Sequence, residues 1–110
     1  MIKWKSWKPM HAPEDCRNIE GPEECGVYQI RNKKTGQFIQ FGESKTCRER
    51  MKSFFPKPYG KGTRNNETKR KYILENWKTL EYRSCSTDSK EEAVRIDRLL
   101  KSQNNHLFNT

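Results

Sequence analysis

Residues 26–42 read GVYQIRNKKTGQFIQFG, and this stretch decides the fold of the chain. The run Gly26–Asn32 contains β-branched and aromatic residues and predicts a strand, which the turn-like letters KKTG follow. Residues 37–43 predict a second strand. Because so short a turn joins the two runs, we expect an antiparallel hairpin. Strict alternation of side chains would place Ile39 and Phe41 on the same face of the second strand.

The rest of the chain predicts helices around this hairpin. Helix-starting pairs, Thr46 with Glu49 and Ser89 with Glu92, resemble capping boxes. The predicted elements are helices over residues 47–55, 67–77 and 90–103 and a third strand over 80–85. The last helix is expected to turn four apolar residues inward: Ala93, Ile96, Leu99 and Leu100. This order predicts an α+β domain over 25–110, with a small antiparallel three-stranded sheet flanked by helices and residues 1–24 docked on it as an amino-terminal arm.

Most of the formal net charge of +9 lies in one segment. Residues 45–72 contain ten Lys or Arg and two Glu, a net charge of +8. Such a segment attracts polyphosphates by electrostatic steering and counterion release, so we expect a nucleic-acid partner. The alternative is a basic surface that only aids solubility. A membrane partner fits less well, because no stretch combines this charge with an amphipathic helix and anchoring aromatic residues.

The cysteines do not form a metal-binding pattern. They are spread along the chain without a C-x-x-C pair, as Cys16, Cys25, Cys47 and Cys85. Such spacing is poor for zinc, so free thiols are expected. Residues 1–11 contain no apolar run typical of a signal peptide, and no later stretch is long enough to cross a bilayer. We therefore expect a cytoplasmic protein with reduced cysteines.

An ordered set of residues begins in the hairpin and continues to the end of the chain. In order it comprises Gly26-Val27-Tyr28, then after eleven residues Gln40-Phe41-Gly42, then Arg50 eight positions beyond the glycine, and finally Asp97 with Asn109 twelve positions later. Over about residues 25–110 this set resembles the GIY-YIG nuclease family. The resemblance implies a divergent DNA endonuclease that hydrolyses phosphodiester bonds with a divalent metal ion.

The resemblance also implies a role for each matched residue. Tyr28 matches a tyrosine that acts as general base or orients the attacking water, and Arg50 an arginine that stabilises charge on the scissile phosphate. Asp97 stands at the metal-binding glutamate and implies one Mg²⁺ or Mn²⁺. Asn109 matches an asparagine that supports the fold or the site. The residue types suit this chemistry, because a guanidinium can meet two phosphate oxygens and a carboxylate can hold a hard cation.

Three positions depart from the family pattern. Gln40 occupies the position of the second tyrosine in the predicted catalytic set, and an amide does not ionise. Phe54 stands where a histidine or tyrosine is common, and Asp97 is one methylene shorter than glutamate. Tyr59 is a candidate for the lost group. These departures favour an alternative function, a DNA-binding module on the same scaffold without turnover; a basic domain that binds RNA or a partner protein is a third.

The basic segment supplies the predicted nucleic-acid contacts: Lys45, Lys52, Lys57, Tyr59, Lys61, Arg64, Lys69, Arg70 and Lys71. No separate specificity domain is visible, which favours weak or structure-directed recognition, a partner protein that supplies specificity, or a homodimer that cuts both strands. Structural roles are the alternatives for the site residues. Tyr28 would then be a core aromatic residue, and Arg50 would form an ion pair with Asp97.

Overall fold

The structure is a computed structural model that describes residues 2–55 and 67–108. Its elements in chain order are strand β1 (Lys8–Pro9), strand β2 (Gly26–Asn32), strand β3 (Phe38–Ser44), helix α1 (Cys47–Lys52), helix α2 (Glu67–Asn76), strand β4 (Leu80–Ser86) and helix α3 (Lys90–Gln103), with single 3-10 turns at Pro13–Asn18 and Trp77–Thr79. Within the described residues the strands form one antiparallel sheet in the order β1-β4-β2-β3. The α+β class is confirmed. The predicted number of three strands is wrong, because the arm adds a fourth.

The predicted hairpin forms the centre and one edge of the sheet. Strand β2 pairs with β3 on one side and with β4 on the other, so Tyr28 lies opposite both Gly42 and Ser84. The turn between β2 and β3 contains Gly36 at φ +76°, a left-handed conformation that costs glycine little because it has no Cβ. Strand β3 lies at the edge of the sheet, and residues 106–108 pair with Phe38 and Ile39 on its outer side. Within the described residues, the edge is therefore open to a large ligand only from Gln40 onward.

A bulge interrupts the alternation of side chains in β3. The pairing register shifts between Ile30 and Arg31. As a result, Ile39 joins the same buried cluster as Ile30, whereas Phe41 packs in a different cluster with Val27. The expectation that Ile39 and Phe41 share a face is therefore wrong. The extra residue of a bulge breaks the period of two, which single-strand patterning cannot anticipate.

Helices cover both faces of the sheet. On one face, β2 side chains such as Tyr28 and Ile30 pack against Met51 and Phe54 near α1 and against Ile73 of α2. On the other face, α3 contributes a buried stripe to a second cluster, which comprises Val27, Phe41, Cys85, Ala93, Ile96 and Leu100. Burial of each large apolar side chain contributes about 2 kcal/mol.

The stripe of α3 is narrower than expected. Leu99 is 44% exposed, so its predicted inward position is wrong. Leu100, also predicted inward, is buried. Successive residues of a helix lie about 100° apart, so Leu99 and Leu100 cannot face the sheet equally.

The amino-terminal arm packs along β4. Lys8 and Pro9 pair with Tyr82 and Glu81, and a proline is tolerated in this edge strand because its missing N–H would face outward. The hydroxyl of Tyr82 accepts a hydrogen bond from the backbone N–H of Glu20 at 2.9 Å. On the opposite face of the sheet, the guanidinium of Arg83 lies between two rings of the arm, 4.4 Å from Trp4 and 4.3 Å from Trp7. These stacked cation–π contacts, together with backbone hydrogen bonds, attach the arm to the sheet.

The two predicted capping boxes differ in outcome. Ser89 Oγ accepts the backbone N–H of Glu92 at 3.1 Å, which satisfies one orphan donor at the start of α3. The Thr46 side chain makes no capping hydrogen bond, so the capping box predicted for α1 is wrong. Helix α1 also ends at Lys52, three residues before the predicted end, and continues as a turn through Phe54. In the described part of the chain, no helix has the length and apolar character needed to span a membrane.

Candidate functional site

A pocket of about 340 Å³ opens at the outer edge of β3. Residues from β2, β3 and all three helices converge on it: Tyr28, Gln40, Phe41, Gly42, Glu43, Arg50, Lys69 and Asp97. The edge strand supplies four consecutive lining residues, from Gln40 to Glu43. The pocket therefore combines a phenol, an amide, two cations and two carboxylates on one concave surface.

The ring of Tyr28 lies directly against Gly42. A Cβ placed on Gly42 would come within 2.8 Å of Tyr28 Cε1 and 2.9 Å of its hydroxyl oxygen. Real Cβ atoms essentially never make contacts this short, so any larger residue at this position would displace the ring. Tyr28 is only 1% exposed, which leaves its ring held by the core while the residue still lines the pocket.

Two cationic side chains reach the pocket from different helices. Arg50 lies in the last turn of α1 and is exposed. Lys69 lies in the first turn of α2 and is only 4% exposed, which is unusual for a lysine. A buried ammonium strengthens electrostatic attraction to an anion because less water screens it. The pair can therefore stabilise an anionic ligand from two directions.

Two carboxylates face the same pocket. Asp97, half-buried on α3, has its pKa raised above the ordinary value, chiefly by burial and further by the negative charge of Glu43, while Lys101 lowers it. Glu43 follows Gly42 in β3 and is also half-buried. Among the described residues, Arg50 and Asp97 form no ion pair, so the alternative of a structural Arg50–Asp97 bridge is wrong. Two neighbouring carboxylates favour a cation between them because it offsets their mutual repulsion.

The amide of Gln40 has an incomplete set of hydrogen bonds. Its Nε2 donates to the backbone carbonyl of Phe41 at 2.7 Å, which fixes the orientation of the amide. Its Oε1 is buried and, within the described chain, has no hydrogen-bond partner. Gln40 itself is 1% exposed. A buried acceptor without a partner carries a desolvation cost, and a ligand or ordered water would relieve it.

Oxygen donors suited to a hard divalent cation are therefore present at this pocket. No cluster of three or more His, Cys, Asp or Glu side chains that could hold a metal occurs in residues 2–55 and 67–108. Asp97 and Glu43 offer carboxylate oxygens, and Gln40 offers an amide oxygen, which Mg²⁺, Mn²⁺ and Ca²⁺ accept as a ligand. The donor set fits the Mg²⁺ or Mn²⁺ expected from the sequence.

The structure brings four of the five predicted catalytic residues together. Tyr28, Gln40, Arg50 and Asp97 line the one pocket, although up to 69 positions separate them in the chain. Asn109 lies outside the described residues. Phe54 is buried in the core, where it packs with residues of α1 and α2, so it supplies no polar group to the pocket.

The predicted nucleic-acid contacts are distributed unevenly. Lys45 and Lys71 are exposed, and Arg70 is half-buried. Lys52 forms an ion pair with Glu49 at 3.5 Å. Lys69 lies inside the pocket, not on the outer surface. The predictions for Lys57, Tyr59, Lys61 and Arg64 fall outside the described residues.

Two pocket residues were missed or misjudged from the sequence. Glu43 was not recognised, although it directly follows the motif glycine. Lys69 was treated as one of many surface cations. It lies three and four positions before Tyr72 and Ile73, which pack into the core, and this spacing places it on the inner face of α2. That spacing was the available signal.

A second cavity, of about 360 Å³, lies between Phe54 and α2 and is lined in part by Leu74. Of the described catalytic candidates, none lines this cavity. It is more apolar than the β3 pocket, and neither Tyr28, Arg50 nor Asp97 reaches it, so we assign the candidate chemistry to the β3 pocket. The sequence matches no protein-family model, and no curated protein shows significant similarity to it.

Proposed function

We propose that the chain is a divergent DNA endonuclease of the GIY-YIG type, which hydrolyses phosphodiester bonds with a divalent metal ion. The observation that carries this proposal is the convergence of Tyr28, Arg50, Lys69 and Asp97 on one pocket at the open edge of β3. In this proposal one cavity of about 340 Å³ contains a group that orients the attacking water, cations that contact the phosphate and a carboxylate that binds the metal ion. That volume suits a phosphodiester group and its attacking water.

The cationic groups match the charge that develops during hydrolysis. As a water oxygen attacks phosphorus, negative charge grows on the nonbridging oxygens and on the leaving oxygen. Arg50 can meet two of those oxygens with its planar guanidinium. Lys69, held in a buried position, adds a second cation that water screens little. The two side chains lower the barrier by electrostatic stabilisation.

The Tyr28 hydroxyl acts on the nucleophile side. Its ring is fixed by the core and by Gly42, so its oxygen is held at the pocket wall with little freedom. Such positioning is effective because an attacking water must lie in line with the leaving oxygen. In this proposal the Tyr28 hydroxyl orients that water, whose proton passes to solvent as the new P–O bond forms. The ester P–O bond breaks, and the leaving oxygen takes a proton from a solvent water.

Asp97 is the residue that holds the metal ion. When bound, a divalent cation supplies Lewis-acid stabilisation of the leaving oxygen. The half-buried position of Asp97 on α3 and its raised pKa suit a carboxylate that gains a cationic partner. Exposed lysines of the basic segment, such as Lys45 and Lys71, extend the contact along the DNA backbone.

Nicking of supercoiled plasmid tests this proposal. With Mg²⁺ or Mn²⁺ the wild type is expected to convert supercoiled plasmid to the open circular form, and Arg50→Ala or Asp97→Ala is expected to reduce the rate by at least about 100-fold. Arg48→Ala is the matched control: Arg48 lies on the same helix, is exposed, and bonds to the carbonyl of Arg17, not to the pocket. Equal trace cleavage by wild type and both pocket variants would remove the enzyme from consideration.

A DNA-binding module without turnover is the second candidate. Gln40, which has no ionisable proton, occupies the position of the second motif tyrosine inside the pocket, and Phe54 is buried in the core. Both functions predict DNA binding that weakens steeply with salt. A module without turnover would bind DNA in this way but would not nick it. Wild type and Asp97→Ala would then bind DNA with equal affinity.

A further inference from the structure

The β3 pocket contains more oxygen donors than the single carboxylate, Asp97, to which the proposed function gives the metal ion. We propose that Glu43 is a second carboxylate ligand for one divalent cation, opposite Asp97, and that Gln40 Oε1 supplies a third oxygen donor, directly or through a bound water. The inference rests on the proposed function and deepens it, since it names the ligands of the metal ion in that same site.

Shared position is the first observation. Glu43 and Asp97 come from different elements, β3 and α3, yet both line the pocket and their charges interact. Helix α3 packs against β3, so the two elements that carry the carboxylates lie side by side. Without a cation this arrangement is unfavourable because like charges repel. With a divalent cation the same two charges become attractive partners.

The orphaned amide oxygen is the second and independent observation. Gln40 lines the pocket, and its buried Oε1 has no hydrogen-bond partner among the residues described, while the amide nitrogen donates to Phe41. A neutral carbonyl oxygen is an ordinary ligand for hard cations, and a cation or its water would satisfy this acceptor. The glutamine at the position of the second tyrosine would then act as a metal ligand, because its amide oxygen replaces the phenol.

The donor set also offsets the short side chain of Asp97. Aspartate cannot reach as far from α3 as a glutamate, and one carboxylate at reduced reach binds a divalent cation weakly. A second carboxylate from β3 adds charge and fixes the position of the cation between the two elements. Mg²⁺ and Mn²⁺ commonly take one or two carboxylates and keep waters in the remaining positions.

Binding of Mn²⁺ to the free protein tests the inference without DNA or turnover. Electron paramagnetic resonance measures free Mn²⁺, whose signal falls as the ion binds. We expect one bound ion in the wild type, and a loss of affinity of at least about tenfold in Glu43→Gln and in Asp97→Asn, since even supporting groups of a metal site are worth that much. Gln40→Leu is expected to weaken binding by a smaller factor. Glu91→Gln, an exposed carboxylate elsewhere on α3, is the control and should bind as the wild type does.

A melting curve without metal separates a metal ligand from a structural residue. Because Glu43 and Asp97 repel each other, metal-free Glu43→Gln should melt at or above the wild-type temperature while it loses Mn²⁺ affinity. Wild-type affinity in Glu43→Gln, or no Mn²⁺ binding by the wild type, would overturn the inference. Loss of Mn²⁺ binding in Glu43→Gln together with absent plasmid nicking by the wild type would leave the cation site in place and remove the endonuclease.

Discussion

Substitution of Gly42 by alanine tests the contact that positions Tyr28. A new Cβ would lie 2.8, 2.9 and 3.0 Å from three atoms of the Tyr28 ring, whereas ordinary contact begins near 3.4 Å, so the ring must retreat by about 0.5 Å. The ring is buried in the core, and such overpacking costs roughly 1–3 kcal/mol. At about 4 °C for each kcal/mol in a domain of this size, we expect a melting temperature roughly 4–12 °C lower.

The same displacement should slow nicking. A catalytic group misplaced by 1 Å costs about 100-fold, so half that shift is expected to cost on the order of tenfold at a temperature where the variant remains folded. Gly36→Ala provides the matched control. Gly36 has φ +76° but an open surrounding, so alanine there should cost about 1 kcal/mol of stability without moving the site. Wild-type stability and nicking in Gly42→Ala would refute the packing of Tyr28 on Gly42.

Two further predictions concern stability. Burial lowers the pKa of His106 to about 4, against 6.5 in the unfolded chain, so the unfolded state takes up a proton first as the pH falls. Stability should therefore be unaffected by His106 above pH 6.5 and decrease by up to about 3 kcal/mol between pH 6.5 and 4. Urea unfolding at pH 7 and 4.5 gives the free energy of unfolding at each pH, and the difference between the two values should be smaller in His106→Gln than in the wild type. The same difference in both proteins would contradict the prediction. Ser89→Ala should lower the free energy of unfolding by about 1 kcal/mol because it removes the cap of α3. Thr46→Ala should lower it little, since Thr46 makes no capping hydrogen bond. A larger loss in Thr46→Ala than in Ser89→Ala on chemical unfolding would be inconsistent with the observed caps.

Local patterns predicted the elements that local sequence controls. The hairpin follows from two strand-like runs and a glycine turn, and α3 follows from its serine cap and apolar stripe, so both were located within one or two residues. The two-residue strand Lys8–Pro9 was missed. Its pairing with β4 is a long-range contact, and two residues are too few for any alternation to show. The bulge near Ile30 was missed for the same reason, because it exists only in the pairing of two strands.

The candidate site was predictable where residue order carried information. Tyr28, Gln40, Arg50 and Asp97 were chosen by spacing, and the fold brings all four to one pocket. The burial of Lys69 depends on how α2 packs, which charge composition does not reveal. Glu43 becomes a candidate metal ligand only because the fold brings it close to Asp97, which is 54 positions further along the chain. Residues such as Lys69 and Glu43, whose roles depend on partners far along the chain, therefore cannot be identified from local sequence patterns.

The most direct test of the central claim is a crystal structure with duplex DNA bound and Ca²⁺ in place of Mg²⁺. One backbone phosphate should lie in the β3 pocket, with an oxygen within about 3 Å of the Arg50 guanidinium and with Tyr28 and Asp97 on either side. DNA bound to another face of the sheet, with no phosphate in this pocket, would contradict the assignment of phosphodiester chemistry to it.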